Sequence, residues 1–190
     1  MHIERSEAVA RQIIERIPLN KSMSALEFGA GTGIASFLLK EHLKEIIMMD
    51  SSAEMVKIMN GKIISGSVKN LKAVHFDLEK NNWTAKKFDL ILTQMVLHHV
   101  TDIDGIIRKF YEVLKPDGFI AIADLYPEDG SFHGEGFTGH KGFDPETLAV
   151  QVRRTGFENI LHEKCFSIKK QVSETEKRQF DVFLLTAERK

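Results

Sequence analysis

Residues 25–33 read Ala25-Leu26-Glu27-Phe28-Gly29-Ala30-Gly31-Thr32-Gly33. An apolar run ends in an acid, Glu27, and three glycines follow at alternate positions. A helical pattern begins at Ile34. Glycines so placed let the backbone turn tightly and let a ligand approach the main chain with no Cβ in the way. A helix starting behind the loop adds free N–H groups and a partial positive charge. The stretch therefore predicts a strand, a ligand-holding loop and a helix, with a small polar ligand at the carboxyl end of the strand.

The pattern repeats on both sides. Apolar periodicity predicts a helix over 4–17, stopped by Pro18, then a strand over 22–28 and a helix over 34–43. A second strand spans 45–50 and ends at Asp50; Ser51 or Ser52 then caps a helix carrying Met55, Val56 and Met59. Strands follow at 71–76 and 88–93, and Asp102 or Asp104 starts another helix. Lys115-Pro116-Asp117-Gly118 reads as a turn before a strand at 119–125. Residues 126–143 hold Gly130, Gly134, Gly136, Gly139, Gly142 and two histidines, which predicts a long functional loop. Asp144-Pro145-Glu146 opens a helix that ends at Gly156, and strands near 159–169 and 179–188 close the chain. Strands alternating with helices imply a doubly wound α/β fold: an open, mostly parallel sheet with helices on both faces. The last two strands have no helix between them and should pair antiparallel.

Composition narrows the class. A chain of 190 residues, 43% hydrophobic and 28% charged, suits one soluble domain over 1–190. Net charge of −1 argues against gripping a nucleic acid by bulk electrostatics. The single cysteine, Cys165, excludes an internal disulfide. No apolar run is long enough to span a membrane and the first residues lack signal-peptide character, so the expected location is cytoplasmic.

The dinucleotide fingerprint G-x-G-x-x-G/A fails at Ile34; the spacing is instead G-x-G-x-G led by Glu27. In this the chain resembles the class I S-adenosylmethionine-dependent methyltransferases, whose first motif, E/D-x-G-x-G-x-G, is matched in full at Glu27, Gly29, Gly31 and Gly33. The terminal pair of strands is similar too. Phe88-Asp89-Leu90-Ile91 followed by Met95-Val96-Leu97-His98-His99, and Leu114-Lys115-Pro116-Asp117-Gly118, resemble the small-molecule members. The resemblance runs from about residue 20 to the end. It implies a seven-stranded sheet in the order 3-2-1-4-5-7-6, strand 7 antiparallel, and S-adenosylmethionine as cofactor. It places Glu27, Gly29, Ala30, Gly31 and Gly33 around that cofactor. Asp50 would accept from the ribose hydroxyls, with Ser51 beside it, although nicotinamide proteins use the same device and a helix-capping acid would look alike. Asp77 would accept from the adenine amino group while the Leu78 N–H donates to the ring; the alternative is an ordinary turn Asp. Met55 would pack on the adenine or in the core. Thr93 and Gln94 would lie beneath the methionine moiety. Arg5 is expected as a solvated helix residue more than as a partner for the cofactor carboxylate.

Methyl transfer from a sulfonium is an in-line displacement and needs a base only if the nucleophile loses a proton. His98, His99, His133 and His140 are the candidates. One of the adjacent pair is expected to point away. His133, Glu135 and His140 fit no metal-ligand spacing, so no metal is expected. There is no Asn/Asp-Pro-Pro-Tyr after strand 4 and no cysteine near it. That leaves a small organic acceptor ahead of a protein side chain, with the acceptor atom unread. Little chain precedes strand 1, so the pocket is expected to be open or closed by a partner subunit in a homodimer. A nicotinamide-dependent oxidoreductase and a non-catalytic binding subunit are the competing readings.

Overall fold

The computed structural model describes residues 2–190. Seven strands form one sheet in the order β3-β2-β1-β4-β5-β7-β6. The elements run α1 (His2–Arg16), β1 (Ser24–Phe28), α2 (Ile34–Leu39), β2 (Glu45–Asp50), α3 (Ala53–Ser65), β3 (Leu71–His75), β4 (Phe88–Gln94), α4 (Ile103–Val113), β5 (Leu114–Leu125), α5 (Pro145–Arg154), β6 (Phe157–Gln171) and β7 (Lys177–Arg189). The first five strands pair in parallel, and β7 runs antiparallel to both β5 and β6. The expected order and the antiparallel ending are both present.

Alternation along each strand divides the core into two layers. Leu26, Phe28, Ile47, Met49, Ile91, Ile120, Ile122, Phe183 and Leu185 face α4 and α5, where Phe110 and Val152 meet them. Ala25, Ile46, Met48, Leu90, Leu92, Ala121, Ala123, Val182 and Leu184 face the other way, toward Ile13, Leu39 and Met59 of α1, α2 and α3. A one-residue slip in any strand would exchange these two sets, so the register is strongly specified.

Caps fix the helix starts. Ser52 accepts from the Met55 N–H, Asp102 from Gly105 and Asp144 from Thr147. The expected turn at 115–118 lies inside β5 rather than before it. Phe88 pairs with Leu114 and Leu90 with Phe119, so the intervening residues bulge, with Asp117 at φ +59°. The Arg189 guanidinium secures that corner by donating to the Leu114 carbonyl at 2.7 Å. The terminal strands are longer than read from sequence because they pair as a hairpin over nearly their whole length.

Candidate functional site

The glycine loop sits where the parallel strands end, on the side where open α/β sheets bind ligands. Gly29, Gly31 and Gly33 all have positive φ. The loop is splinted to β2: Ala30 donates to the Met49 carbonyl at 2.9 Å, and Gly31 donates to Asp50 Oδ2 at 2.7 Å. The other oxygen of Asp50 takes the Ser52 N–H at 2.8 Å. The three glycines then divide by role. A Cβ on Gly31 would meet nothing within 4 Å, so that residue faces open space. A Cβ on Gly29 would strike a Val96 methyl at 2.5 Å. On Gly33 it would strike the Met48 sulfur at 2.8 Å. Gly33 therefore serves the turn and the packing behind it, and it lines neither of the cavities beside the loop.

Glu27 ends β1 with its carboxylate held by Ser36 of α2, through both the hydroxyl and, at 3.2 Å, the N–H. Burial outweighs these bonds and pushes its carboxyl up to about 7.

Two cavities flank the loop. The larger, about 550 Å³, is lined by Glu27, Gly29, Ala30, Gly31, Met55, Gln94, Val96, His98 and His99. His2, Arg5 and Ser6 of α1 and Phe132 and His133 of the long loop add further walls. The smaller, about 290 Å³, is lined by Asp50, Ser51, Phe76, Asp77, Leu78 and neighbours. Gly29, Val96 and His99 line both. Asp50 and Asp77 thus share one compartment, and Asp77 is held below the usual carboxylate range by Lys80, 2.8 Å away. Met55 lies in the other compartment, away from Asp77. Thr93 lines neither: it is 2% exposed in the middle of the sheet, with an unpartnered hydroxyl. It pairs with Phe28 and Ile122 between two neighbouring strands. Gln94 reaches the larger cavity and donates to Ser6 Oγ at 2.9 Å.

Arg5 differs from expectation. It is half-buried and lines the larger cavity, and its Nε has no partner. Burial lowers its affinity for a proton against an opposing pull from Asp124.

The histidines group in a way the sequence spacing does not suggest. His98 is 1% exposed, and its Nδ1 lies 2.6 Å from Asp124 Oδ1. Asp124 also accepts the His98 N–H at 3.2 Å and the Leu125 N–H at 2.7 Å. His99 does not point away from its neighbour: the two rings lie 4.3 Å apart, with His99 at the mouth. His133 comes over from the long loop to 4.9 Å from His98 and 5.2 Å from His99. Partial burial and the neighbouring imidazoles lower the pKa of both His99 and His133. His140 stands apart, with Nε2 3.0 Å from the Val100 carbonyl, and does not line the larger cavity. Glu135 is exposed.

The loop itself is anchored at both ends. Glu128 donates to the Lys141 carbonyl at 2.9 Å, and the Glu128 carboxylate takes the Gly130 and Phe132 N–H groups. Phe132 packs edge-on against Phe180, and Lys170 donates to the Phe132 carbonyl. The loop, through Phe132 and His133, and α1, through His2, Arg5 and Ser6, both contribute walls to the larger cavity.

Asp124, Ser6, Val96 and Phe132 were not singled out from sequence. A buried acid within the apolar run Ile120–Leu125 was the one available signal, since such a group needs a partner.

A family model described as methyltransferase domain matches residues 1–162. An uncharacterized methyltransferase of Schizosaccharomyces pombe is 29% identical over 153 residues, 72% of this chain and 54% of that protein. The uncharacterized methyltransferase YcgJ of Bacillus subtilis is 30% identical over 105 residues, 55% of this chain and 42% of that protein. The chain thus spans about half the length of these curated relatives. The crystal structure of YcgJ superposes with a TM-score of 0.79 at 15% identity, covering 97% of this chain and 99% of that one. The N-methyltransferase NodS of Bradyrhizobium japonicum, in complex with S-adenosylhomocysteine, superposes with a TM-score of 0.73 at 18% identity over 98% of this chain and 86% of NodS.

Proposed function

The chain belongs to the methyltransferase domain family, and from that membership we propose that it moves the methyl group of S-adenosylmethionine, in line, to a small organic acceptor. The observation that carries this reading is the pair of cavities meeting at Gly29, one holding the carboxylates of Asp50 and Asp77 among its walls and the other open at Gly31. The smaller compartment suits the nucleoside. Each oxygen of Asp50 already takes one backbone N–H and has a second lone pair free for a ribose hydroxyl. Asp77 and the Leu78 N–H suit the base edge. The larger compartment takes the amino-acid end near Arg5, whose unpartnered Nε matches a carboxylate. A volume of about 550 Å³ leaves room there for an acceptor beneath Phe132 and His133.

The bound cofactor supplies an electrophilic methyl group. The chain's own residues hold the two reactants in line and keep water out. Where the acceptor loses a proton, His99 or His133 is the group placed to take it. Both are held toward the neutral form, which is the form a base needs.

No helix among the described residues is long and apolar enough to cross a membrane. The proposed setting is the cytoplasm. A net charge of −1 favours a small acceptor over a nucleic acid.

Calorimetry with S-adenosylhomocysteine and NAD(H) tests the reading. Binding of the former alone is expected. Gly31→Val should abolish it in a folded protein, because the new side chain would stand in the open space the ligand fills. Native affinity in that variant, or a preference for NAD(H), overturns the proposal.

A further inference from the structure

Three imidazoles from two distant stretches of chain, the adjacent His98 and His99 and the loop residue His133, converge beside the larger cavity. One ring nitrogen from each of His98, His99 and His133 lies within 4.8 Å of the others. His98 spends Nδ1 on Asp124, so its Nε2 is the nitrogen left to face the group. That arrangement, a carboxylate behind an imidazole, fixes the tautomer and orients the ring as in metal-ligating histidines. An independent sign comes from His133: its Nε2 is buried without any hydrogen-bond partner. A buried ring nitrogen is normally satisfied, and leaving it bare is costly. The ring is nevertheless held in place, stacked on Phe137 at a centroid distance of 3.9 Å and an angle of 16°.

We propose that His98, His99 and His133 bind one divalent first-row cation of the zinc class, leaving a coordination position open toward the larger cavity. Imidazole nitrogen is a good donor for this class, and three protein ligands with one open position is the pattern of catalytic rather than structural zinc. Nitrogens at about 2.0–2.1 Å from the ion stand about 3.4 Å apart in a tetrahedral site. The three rings must therefore close in slightly. His99, exposed at the mouth, and His133, on the loop, have the freedom to do so. Asp124 and Glu128 supply negative charge near the cluster, and Lys170 and Arg5 oppose it. Only Asp124 among these is hydrogen-bonded to a ligand ring.

The open position gives the ion a role that rests on the methyl-transfer reading. With the ion bound, His99 and His133 would act as ligands and not as bases: an acceptor hydroxyl or thiol at the open position would give up its proton to solvent at the exposed mouth of the cavity and keep its lone pair. That pair forms the new bond to the methyl carbon as the carbon–sulfur bond of the sulfonium breaks, and the departing pair stays on sulfur.

The test uses untagged, metal-stripped protein and Co²⁺ as probe. The expected result is the visible d–d absorption of a tetrahedral, nitrogen-ligated Co²⁺, saturating at one ion per chain and displaced by Zn²⁺. His133→Ala should abolish the spectrum, and because His133 lies on a loop the variant should fold. Asp124→Asn should weaken Zn²⁺ binding by about 10–100-fold through loss of the ring's orienting partner. Calorimetry with S-adenosylhomocysteine on the same samples separates the two readings. S-adenosylhomocysteine binding with no Co²⁺ spectrum overturns the metal site alone, as does a spectrum unchanged in His133→Ala. A Co²⁺ spectrum with no such binding leaves the site standing and overturns the methyl-transfer reading.

Discussion

Asp50 does two things with one carboxylate: it splints the glycine loop through Gly31 and offers its remaining lone pairs to the smaller cavity. Asp50→Ala should weaken S-adenosylhomocysteine binding by about 1.5–3 kcal/mol, the range for hydrogen bonds to a charged group. An unchanged dissociation constant by calorimetry would place the ribose elsewhere. Glu27 makes a different prediction. Its folded-state value of about 7 lies above the ordinary 4.5, so between those pH values the folded chain binds more protons than the unfolded one. Stability from this group is fully present below the lower value and is lost as pH rises through the upper one. Glu27→Gln should remove that slope, on the order of a few kcal/mol at most, and chemical denaturation across the window is the measurement. The same scale shows where sequence reading stops. Three glycines are visible in the motif, but only the approach of Met48 and Met59 tells that Gly33 packs inward while Gly31 stays open.

At the scale of elements, the long loop over 126–143 was legible from its glycines. Its anchoring was not, because the contacts come from distant β6 and β7: Lys170 on the Phe132 carbonyl, Phe180 against Phe132, Arg178 on Asp129. The His98-His99 pair was equally visible, while its third member depends on how this loop folds back. Similarly, α1 reads as an amphipathic helix, yet the side that carries Arg5 and Ser6 closes the cavity instead of facing water. Since Glu128 and Lys141 already bond across the loop's base, residues 130–139 can be replaced by a short turn. That variant should keep S-adenosylhomocysteine affinity within about threefold, because the smaller cavity and Asp50 lie elsewhere, and should lose turnover. A loss of affinity with transfer spared at saturating cofactor would reverse the loop's role.

Over the whole molecule, periodicity alone carried the sheet far. Its alternating apolar sets are the same sets that now face the two helical layers. The strand order came from resemblance to a family, since nothing in the spacing of elements dictates which strand lies beside which. A ligand that binds only the folded chain should stabilise it by about 2.7 kcal/mol at a hundredfold excess over its dissociation constant. A thermal shift of that sort with S-adenosylhomocysteine and none with NAD(H) is expected. Finally, Cys165 is the chain's single cysteine, and burial pushes its thiol up to about 12. It is therefore a poor nucleophile at neutral pH and should resist maleimide in the native protein while reacting in urea, a difference that mass spectrometry reads directly. Nature has thus supplied a background already suited to site-specific labelling. A cysteine placed at exposed Glu135 would be the one site a dye can reach, and its emission would report in real time how the loop moves as ligands fill the pocket beneath it.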